Sequence, residues 1–222
     1  MIHLNVAYTR EYKEYQTKYE HIFQEANFNE EKIVRISDKL ILSKKYYIVN
    51  SNVLMHGTTN CLMDESGTIL YSYLCINNKS ELSTIIKHSN GNDYYIFNRD
   101  LYGYSILDLS TLNTFHYIPY ESFFNKEETF IWSNVHYNNI NNVIAIDGCY
   151  WARPEEIGLA RFEEPMNVIN CFDLRSQIDK DYLNYDDICF SRWHSNNIII
   201  KCISQDSYVE LEISESEYMS WI

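Results

Sequence analysis

The sequence predicts a mainly β fold of repeated four-stranded antiparallel units, with an N-terminal helix and a short C-terminal helix. The first observation is a repeat in which an apolar run reaches a histidine, crosses an asparagine-rich turn and enters a second apolar run, at Thr84–Phe97, Ile131–Ile146 and Ile188–Lys201. Asn-Gly and Asn-Asn pairs tolerate the positive φ angles of tight turns, so each copy indicates a β-hairpin. The second observation is the spacing, since further strands follow each hairpin in units of roughly 45 to 55 residues.

This spacing allows two arrangements. Blades of β-propellers repeat at about 40 to 50 residues, and counting from Lys32 gives about four units, which is few for a closed propeller. The same strands can form stacked antiparallel sheets, as in a sandwich or partial solenoid. No low-complexity linker divides the chain, which has three prolines and six glycines. We therefore expect an N-terminal helical segment at residues 1–31 and a single β-rich repeat domain at residues 32–222.

The individual elements follow from changes in hydrophobic period. Apolar side chains at spacings of three and four predict a helix over Arg10–Ala26. From Lys32 the period becomes two, and this predicts strands at Lys32–Ser43, Tyr46–Met55, Thr58–Met63 and Thr68–Ile76. The later units add strands at Gly103–Leu109, Leu112–Ile118, Ile157–Phe162, Val168–Leu174 and Tyr208–Ile213. Ser214–Glu217 has capping-box spacing and precedes an amphipathic end, whose Met219 and Trp221 or Ile222 are expected to dock on the sheet.

Composition and charge limit the classes of partner. The chain has 222 residues and a net charge of −13, without a local cluster of lysine and arginine. This charge repels phosphate backbones, so we expect no direct binding to nucleic acid. An acidic surface suits a basic protein partner, although it also simply keeps a protein soluble. The N-terminus lacks a signal-peptide pattern and no apolar run reaches the roughly 20 residues of a membrane span, so we expect a soluble, cytoplasmic protein that binds no membrane.

Two loops contain the residue types that dominate protein interfaces. The loop Asp147–Glu156 combines a thiol, two aromatic rings, an arginine and carboxylates, and Arg99–Tyr104 repeats part of this mixture one unit earlier. If the units pack side by side in the same sense, the two loops share one edge. The predicted binding residues are Arg99, Asp100, Tyr102, Tyr104, Trp132, Tyr150, Trp151 and Arg153. The alternative is a local ion pair between Arg99 and Asp100, with the aromatic rings covering the core.

An enzymatic role would use Cys149 or the carboxylates of the 147–156 loop. A thiolate at Cys149 needs a lowered pKa and a nearby base such as His136 or His88. A thiol at the end of a strand is also typical of a buried structural cysteine. The acidic pairs, including Glu127-Glu128, lack the spacing of a calcium loop and are expected to be solvated turns.

No cofactor or metal is expected. His88, His136 and His194 occupy equivalent positions in their hairpins, but neighbouring sheets pack about 10 Å apart, which is too far for three such side chains to share an ion. We expect them to be turn residues that bond local carbonyls. The six cysteines have no C-x-x-C spacing, which favours reduced core thiols over a zinc site.

Four segments carry a resemblance to known sequences: His88–Leu109 (HSNGNDYYIFNRDLYGYSILDL), Glu128–Asn138 (ETFIWSNVHYN), Asp147–Pro154 (DGCYWARP) and Glu217–Trp221 (EYMSW). They resemble a family of small, uncharacterised cytoplasmic proteins from bacteria with AT-rich genomes. The resemblance covers Thr84 to the C-terminus. Members often read GCYWACP, whereas Arg153 stands here in place of the second cysteine, which weakens a dithiol or metal role for the loop. The resemblance implies a bacterial, soluble, β-rich protein and no particular activity.

These observations favour a non-enzymatic, β-propeller-like protein-binding module that presents the two loops to a partner. Charge and size are compatible with an immunity or antitoxin-type protein, because an acidic surface complements a basic toxin and steers its association. Two alternatives stay open, namely an enzyme that uses Cys149 or the carboxylates of the 147–156 loop, and a structural scaffold without a discrete site.

Overall fold

The computed structural model describes residues 4–50, 54–76, 82–178, 185–205 and 207–222. Four antiparallel sheets follow one another along the chain, and within each sheet every strand pairs with the strand next to it in sequence. Helix α1 (Arg10–Tyr19) precedes the sheets and helix α2 (Glu215–Tyr218) follows them. The described part of the chain contains no helix of the length and apolar character needed to cross a membrane.

The first sheet consists of β1 (Phe28–Ser37), β2 (Leu40–Asn50), β3 (Leu54–Asp64) and β4 (Ile69–Ile76). The second consists of β5 (Ser83–Lys87), β6 (Asp93–Phe97), β7 (Tyr104–Asp108) and β8 (Thr114–Tyr117). The third consists of β9 (Ile131–Asn138), β10 (Val143–Cys149), β11 (Glu155–Arg161) and the short β12 (Phe172–Asp173). The fourth consists of β13 (Asp187–His194), β14 (Asn197–Ser204) and β15 (Ser207–Ile213).

The three predicted hairpins are confirmed as β5–β6, β9–β10 and β13–β14. Each turn contains a residue with positive φ, at 90° for Gly91, 55° for Asn142 and 53° for Ser195. Glycine and asparagine adopt this left-handed region at low cost, which explains the positions of the first two turns, whereas the third places Ser195 there.

The predicted boundaries in the first sheet are partly wrong. A turn at Asp38 and Lys39 divides the expected strand Lys32–Ser43 between β1 and β2, and β1 already begins at Phe28, inside the expected helical segment. The expected break before Thr58 is absent, because β3 runs through Gly57 without interruption. A Cβ at Gly57 would press on the Phe23 ring. Residues 51–53 of the expected strand Tyr46–Met55 lie outside the described residues.

The predicted N-terminal helix is shorter than expected. Thr9 accepts a hydrogen bond from the Tyr12 backbone N–H and caps α1, which ends at Tyr19 and continues only as the 3-10 helix Glu20–Phe23. Asn27 Nδ2 donates to the carbonyl oxygens of His21 and Ile22 and so stops the helix before Ala26.

The predicted capping box at the C-terminus is wrong. The Ser214 side chain does not cap α2, and Asn197 Oδ1 instead accepts from the Glu215 backbone N–H at 3.1 Å. Docking of the C-terminal end is confirmed, since Met219, Trp221 and Ile222 pack on the core beside the fourth sheet. The expected strand Val168–Leu174 shrinks to β12.

Three hydrophobic cores lie between successive sheets. Leu42 and Leu62 meet Phe97 between the first and second sheets. Alternate residues of β6 and β10 face opposite sides, so Ile96 joins the core between the second and third sheets and Val143 joins the core between the third and fourth. Burial on both faces accounts for the continuous apolar runs of these central strands.

The positions of the hydrophobic cores indicate that the sheets form an open stack. Among the described residues, no core cluster joins the first sheet to the fourth. The expected succession of antiparallel sheets is therefore confirmed, and within the described residues the sheets form no closed barrel. A separate small cluster, which includes Tyr12 and Ile118, attaches α1 to the segment that follows β8.

Candidate functional site

The loops after β6 and after β10 meet at a shared cleft. Gly103 and Tyr104 line it from the second sheet, and Tyr150 lines it from the loop after β10. The connection between β8 and β9 contributes Glu127 and Phe130, and the cleft has a volume of about 250 Å³. The expectation that the two loops share one edge of the molecule is thus confirmed for these residues. We call this feature the acidic aromatic cleft.

A stack of three buried rings forms one wall of the acidic aromatic cleft. The Tyr104 and Trp132 ring centroids are 4.2 Å apart at an interplanar angle of 16°, and Tyr117 stacks with Tyr104 at 5.3 Å. The Tyr104 hydroxyl accepts a hydrogen bond from the Ile169 backbone N–H at 2.6 Å. Packing and this hydrogen bond hold the wall in one orientation, so its shape is largely set before a ligand arrives.

Phe130 and Tyr150 form the opposite side of the acidic aromatic cleft, with ring centroids 5.6 Å apart. Phe130 can lie close to the third sheet because Gly148 and Gly158 leave room for its ring, and a Cβ at either position would contact it. A Cβ at Gly158 would also overlap the Sγ of Cys171. Two glycines in neighbouring strands therefore create the slot that Phe130 occupies.

Three carboxylates lie at the acidic aromatic cleft, on Glu121, Glu127 and Glu128. Burial and the charge of Glu121 raise the pKa of Tyr117 to about 12. Burial, the charge of Glu128 and, to a smaller extent, Cys149 raise the pKa of the Tyr102 hydroxyl. These effects place negative charge beside the rings, and a site that combines aromatic faces with carboxylates favours a cation.

Trp151 and Arg153 extend the surface beyond the acidic aromatic cleft. Trp151 is 61% exposed at the tip of the loop after β10. The Arg153 guanidinium lies 5.5 Å from the centroid of the Tyr150 ring. An exposed tryptophan and an arginine beside a cleft are typical of the residues that dominate protein interfaces.

Three predicted binding residues, Arg99, Asp100 and Tyr102, do not line the acidic aromatic cleft, and Asp100 and Tyr102 instead line a separate pocket beside Tyr15 of α1. The Tyr12 hydroxyl of α1 approaches Asp100 Oδ2 at 3.5 Å, and burial raises the pKa of Asp100 to about 6. The Arg99 carbonyl accepts from the Ile76 backbone N–H at 3.0 Å. Arg99 and Asp100 therefore connect α1 and the first sheet to the second sheet.

No family model, curated protein or solved structure matches this chain. The resemblance carried by Thr84 to the C-terminus therefore stays a prediction.

Cys149 lacks the surroundings of a nucleophile. Burial and the neighbouring carboxylates Glu155 and Glu156 raise the pKa of its thiol, which disfavours the reactive thiolate. The two expected bases are engaged elsewhere. His136 Nε2 lies 2.6 Å from Asp147 Oδ2, and His88 Nε2 lies 2.7 Å from the carbonyl oxygen of Phe162.

A buried carboxylate cluster lies behind the loop after β10. Burial and the adjacent Asp173 raise the pKa of Glu156, while Arg175 opposes this effect with its Nε 3.3 Å from Glu156 Oε1. Arg175 also donates to the carbonyl oxygens of Tyr185 and Glu155. The cluster thus connects β11 to the segment around Arg175 and to Tyr185, which precedes β13, and this is a structural role.

The hairpin histidines differ from the expected turn residues. His88 accepts from the Asn90 backbone N–H at its Nδ1 but contacts a carbonyl oxygen 74 positions away through Nε2. His136 and His194 lie against the carboxylates of Asp147 and Glu212 rather than against local carbonyls. Within the described ranges, no three histidine, cysteine or acidic residues form a group able to hold a metal ion.

The sequence reasoning missed most of the acidic aromatic cleft. It included Tyr104, Trp132 and Tyr150 but not Tyr117, Phe130 or the three glutamates. Glu127 and Glu128 were expected to be solvated turn residues, whereas both line the cleft. The available signal was the segment 117–130, which connects two sheets and mixes aromatic and acidic residues immediately before Trp132.

Proposed function

We propose that the protein is a non-enzymatic binding module of the bacterial cytoplasm that accepts a basic side chain of a protein partner in its acidic aromatic cleft. The observation that carries the proposal is the convergence of five aromatic rings and three glutamates on one cleft. Aromatic faces attract ammonium and guanidinium groups, and nearby carboxylates add directional hydrogen bonds. An arginine suits the cleft best, because its planar group both stacks on rings and binds carboxylates in pairs.

The overall charge supports the same class of partner. A net charge of −13 attracts a basic protein over a distance and accelerates its encounter. Trp151 and Arg153 would then contact the partner around the inserted side chain, as exposed residues beside the cleft. An immunity or antitoxin-type protein that neutralises a basic toxin has this combination of features, and we propose this biological form.

Binding of a hexa-arginine peptide tests the proposal without requiring the natural partner. The cleft variant Glu127→Gln/Glu128→Gln removes two charges from the cleft, and the control Glu163→Gln/Glu164→Gln removes the same charge from an adjacent acidic pair elsewhere. Isothermal titration calorimetry at low and moderate salt should show that the cleft variant weakens binding about tenfold more than the control, as expected for loss of a charge-assisted hydrogen bond.

The same titrations identify the outcomes that contradict the proposal. Equal weakening in the two double variants would show that only the net charge attracts the peptide. Absence of saturable binding to the unmodified protein would also refute a preformed cation site. A third variant, Tyr150→Leu, probes the rings without a charge change, and the proposal expects weaker binding there too.

The two rival functions have less support. An enzyme based on Cys149 conflicts with the raised pKa of its thiol, and the carboxylate version would depend on Glu156, which Arg175 already engages. If the protein were a scaffold without a discrete site, the convergence of rings and glutamates on one cleft would have no role. Slow modification of Cys149 by iodoacetamide at neutral pH is expected, whereas rapid modification would favour the enzyme.

A further inference from the structure

A second cleft lies between the first and second sheets, at the end of their interface opposite Leu42 and Leu62. It has a volume of about 290 Å³, and its lining includes Lys44, Asn60 and His56 from the first sheet and Asn98 from the second. Its size is near the lower limit of small-molecule sites, which is about 300 Å³. We call it the inter-sheet cleft.

The inter-sheet cleft breaks the hydrophobic pattern of the first sheet. Leu40 and Leu42 alternate toward the core, and the next position on the same face of β2 is Lys44. On β3 the corresponding series passes from Leu62 to Asn60 and then to Thr58. Polar side chains at core-facing positions lower stability unless they have another purpose, and such local violations concentrate at functional sites.

Several of these polar side chains are deeply buried. Lys44 is 8% exposed, and Asn60 and Asn98 are each 3% exposed. Asn60 Nδ2 donates to Thr58 Oγ1 at 2.9 Å. In contrast, Asn98 Nδ2 and His56 Nε2 are buried and have no hydrogen-bond partner within the described part of the chain. Leaving buried polar groups unsatisfied costs about 1–3 kcal/mol each, so an acceptor from outside the described chain is expected.

The chemistry of the lining defines the ligand. Lys44 carries a positive charge, Asn98 offers an amide N–H, and His56 offers a ring nitrogen. The carboxylate of Glu30 also lines the cleft and lies 3.1 Å from Lys32 Nζ. Tyr46 and Leu82 add apolar surface on the same cleft. We propose that the inter-sheet cleft binds a small organic anion whose carboxylate or phosphate group meets Lys44 and Asn98 while its carbon skeleton contacts Tyr46.

This proposal is independent of the acidic aromatic cleft, because the two clefts share no lining residue. They also differ in charge: Lys44 and Glu30 line the inter-sheet cleft, whereas three glutamates line the other. Whether the arginine peptide binds the acidic aromatic cleft therefore does not decide whether an anion binds the inter-sheet cleft.

Calorimetric titration of the full chain with succinate, benzoate and inorganic phosphate tests the proposal, with sodium chloride at matched ionic strength as the blank. At least one probe should saturate a single site, and the comparison of carboxylates with phosphate identifies the preferred headgroup. Lys44→Met removes the charge while keeping the stem, and Asn98→Leu removes the amide at similar size. Each should weaken the preferred probe about tenfold.

Lys45→Met is the matched control, since Lys45 is the next residue on β2 and is exposed on the opposite face. It should leave the affinity unchanged. Equal weakening by Lys45→Met, or the absence of saturation by every probe, would overturn the proposal. If Lys44→Met fails to fold, Asn98→Leu and His56→Leu decide the outcome, because neither changes a lysine and both remove a donor from the cleft.

Discussion

Acidification from pH 6.5 to pH 4 should lower the free energy of unfolding through His116. The ring lies on β8 and is 9% exposed, with its Nδ1 2.9 Å from Ser105 Oγ. Burial lowers the pKa of His116 to about 4, and the positive charge of Arg99 acts in the same direction. The folded protein therefore keeps this ring neutral at pH values where the unfolded chain protonates it.

The size of the effect follows from the two pKa values. Between the unfolded value of 6.5 and the folded value of about 4, the unfolded state binds the additional proton, so stability falls as the pH falls. At about 1.36 kcal/mol per pH unit, the loss is at most about 3 kcal/mol and is complete near pH 4. Above pH 6.5 the contribution is fully present.

Urea unfolding monitored by tryptophan fluorescence at pH 7.5, 6, 5 and 4 measures this loss. Comparison with His116→Asn isolates the ring, because Asp100 and Glu156, whose raised pKa values act in the opposite direction, are present in both proteins. The stability difference should decline by up to about 3 kcal/mol toward pH 4. His194→Asn, at an exposed position, is the control. A difference that does not change with pH would refute the reasoning.

Two further predictions concern the neighbourhood of the clefts. Gly103→Ala should destabilise more than Gly91→Ala by about 1–3 kcal/mol in urea unfolding, because both glycines have positive φ but only at Gly103 would a Cβ overlap the carbonyl oxygen of Tyr117. Equal destabilisation by the two variants would contradict the close approach of Gly103 to the Tyr117 carbonyl oxygen. Asp100→Asn should become more stable relative to the unmodified protein as the pH rises from 4 to 8, by up to about 3 kcal/mol. The raised pKa of about 6 means that the folded state favours the protonated carboxyl of Asp100. The stability that this protonation gives the unmodified protein is lost as the pH rises through that value. A pH-independent difference in the same unfolding assay would show that the carboxyl is not buried as described.

Prediction from sequence succeeded where structure is local. The hairpin turns were found because asparagine and glycine residues such as Asn142 and Gly91 accept positive φ angles without help from distant residues. The Asp38 turn was missed because it contains neither glycine nor asparagine, although Ser37, Asp38 and Lys39 interrupt the apolar alternation. The end of the helical segment was missed because Asn27 binds carbonyl groups of the 3-10 helix that follows α1.

The candidate sites were only partly predictable. Trp151 and Arg153 were recognised by residue type alone, and the structure places both at the loop beside the acidic aromatic cleft. Asp100 has a suitable type for binding but packs against α1, since residue type does not specify which neighbour a side chain meets. The inter-sheet cleft was not anticipated, because Lys44 resembles an ordinary surface lysine until the opposite sheet buries it.

The sequence by itself determined the strands, the hairpins and the acidic character of the molecule, because these depend on side-chain period, turn chemistry and composition. Only the tertiary structure decided that the sheets form an open stack, that Tyr104 meets Trp132 and that Lys44 shares a cleft with Asn98. Those contacts join residues from different sheets or strands far apart in sequence. They depend on which faces pack together, and the hydrophobic pattern of one strand identifies a buried face without identifying its partner.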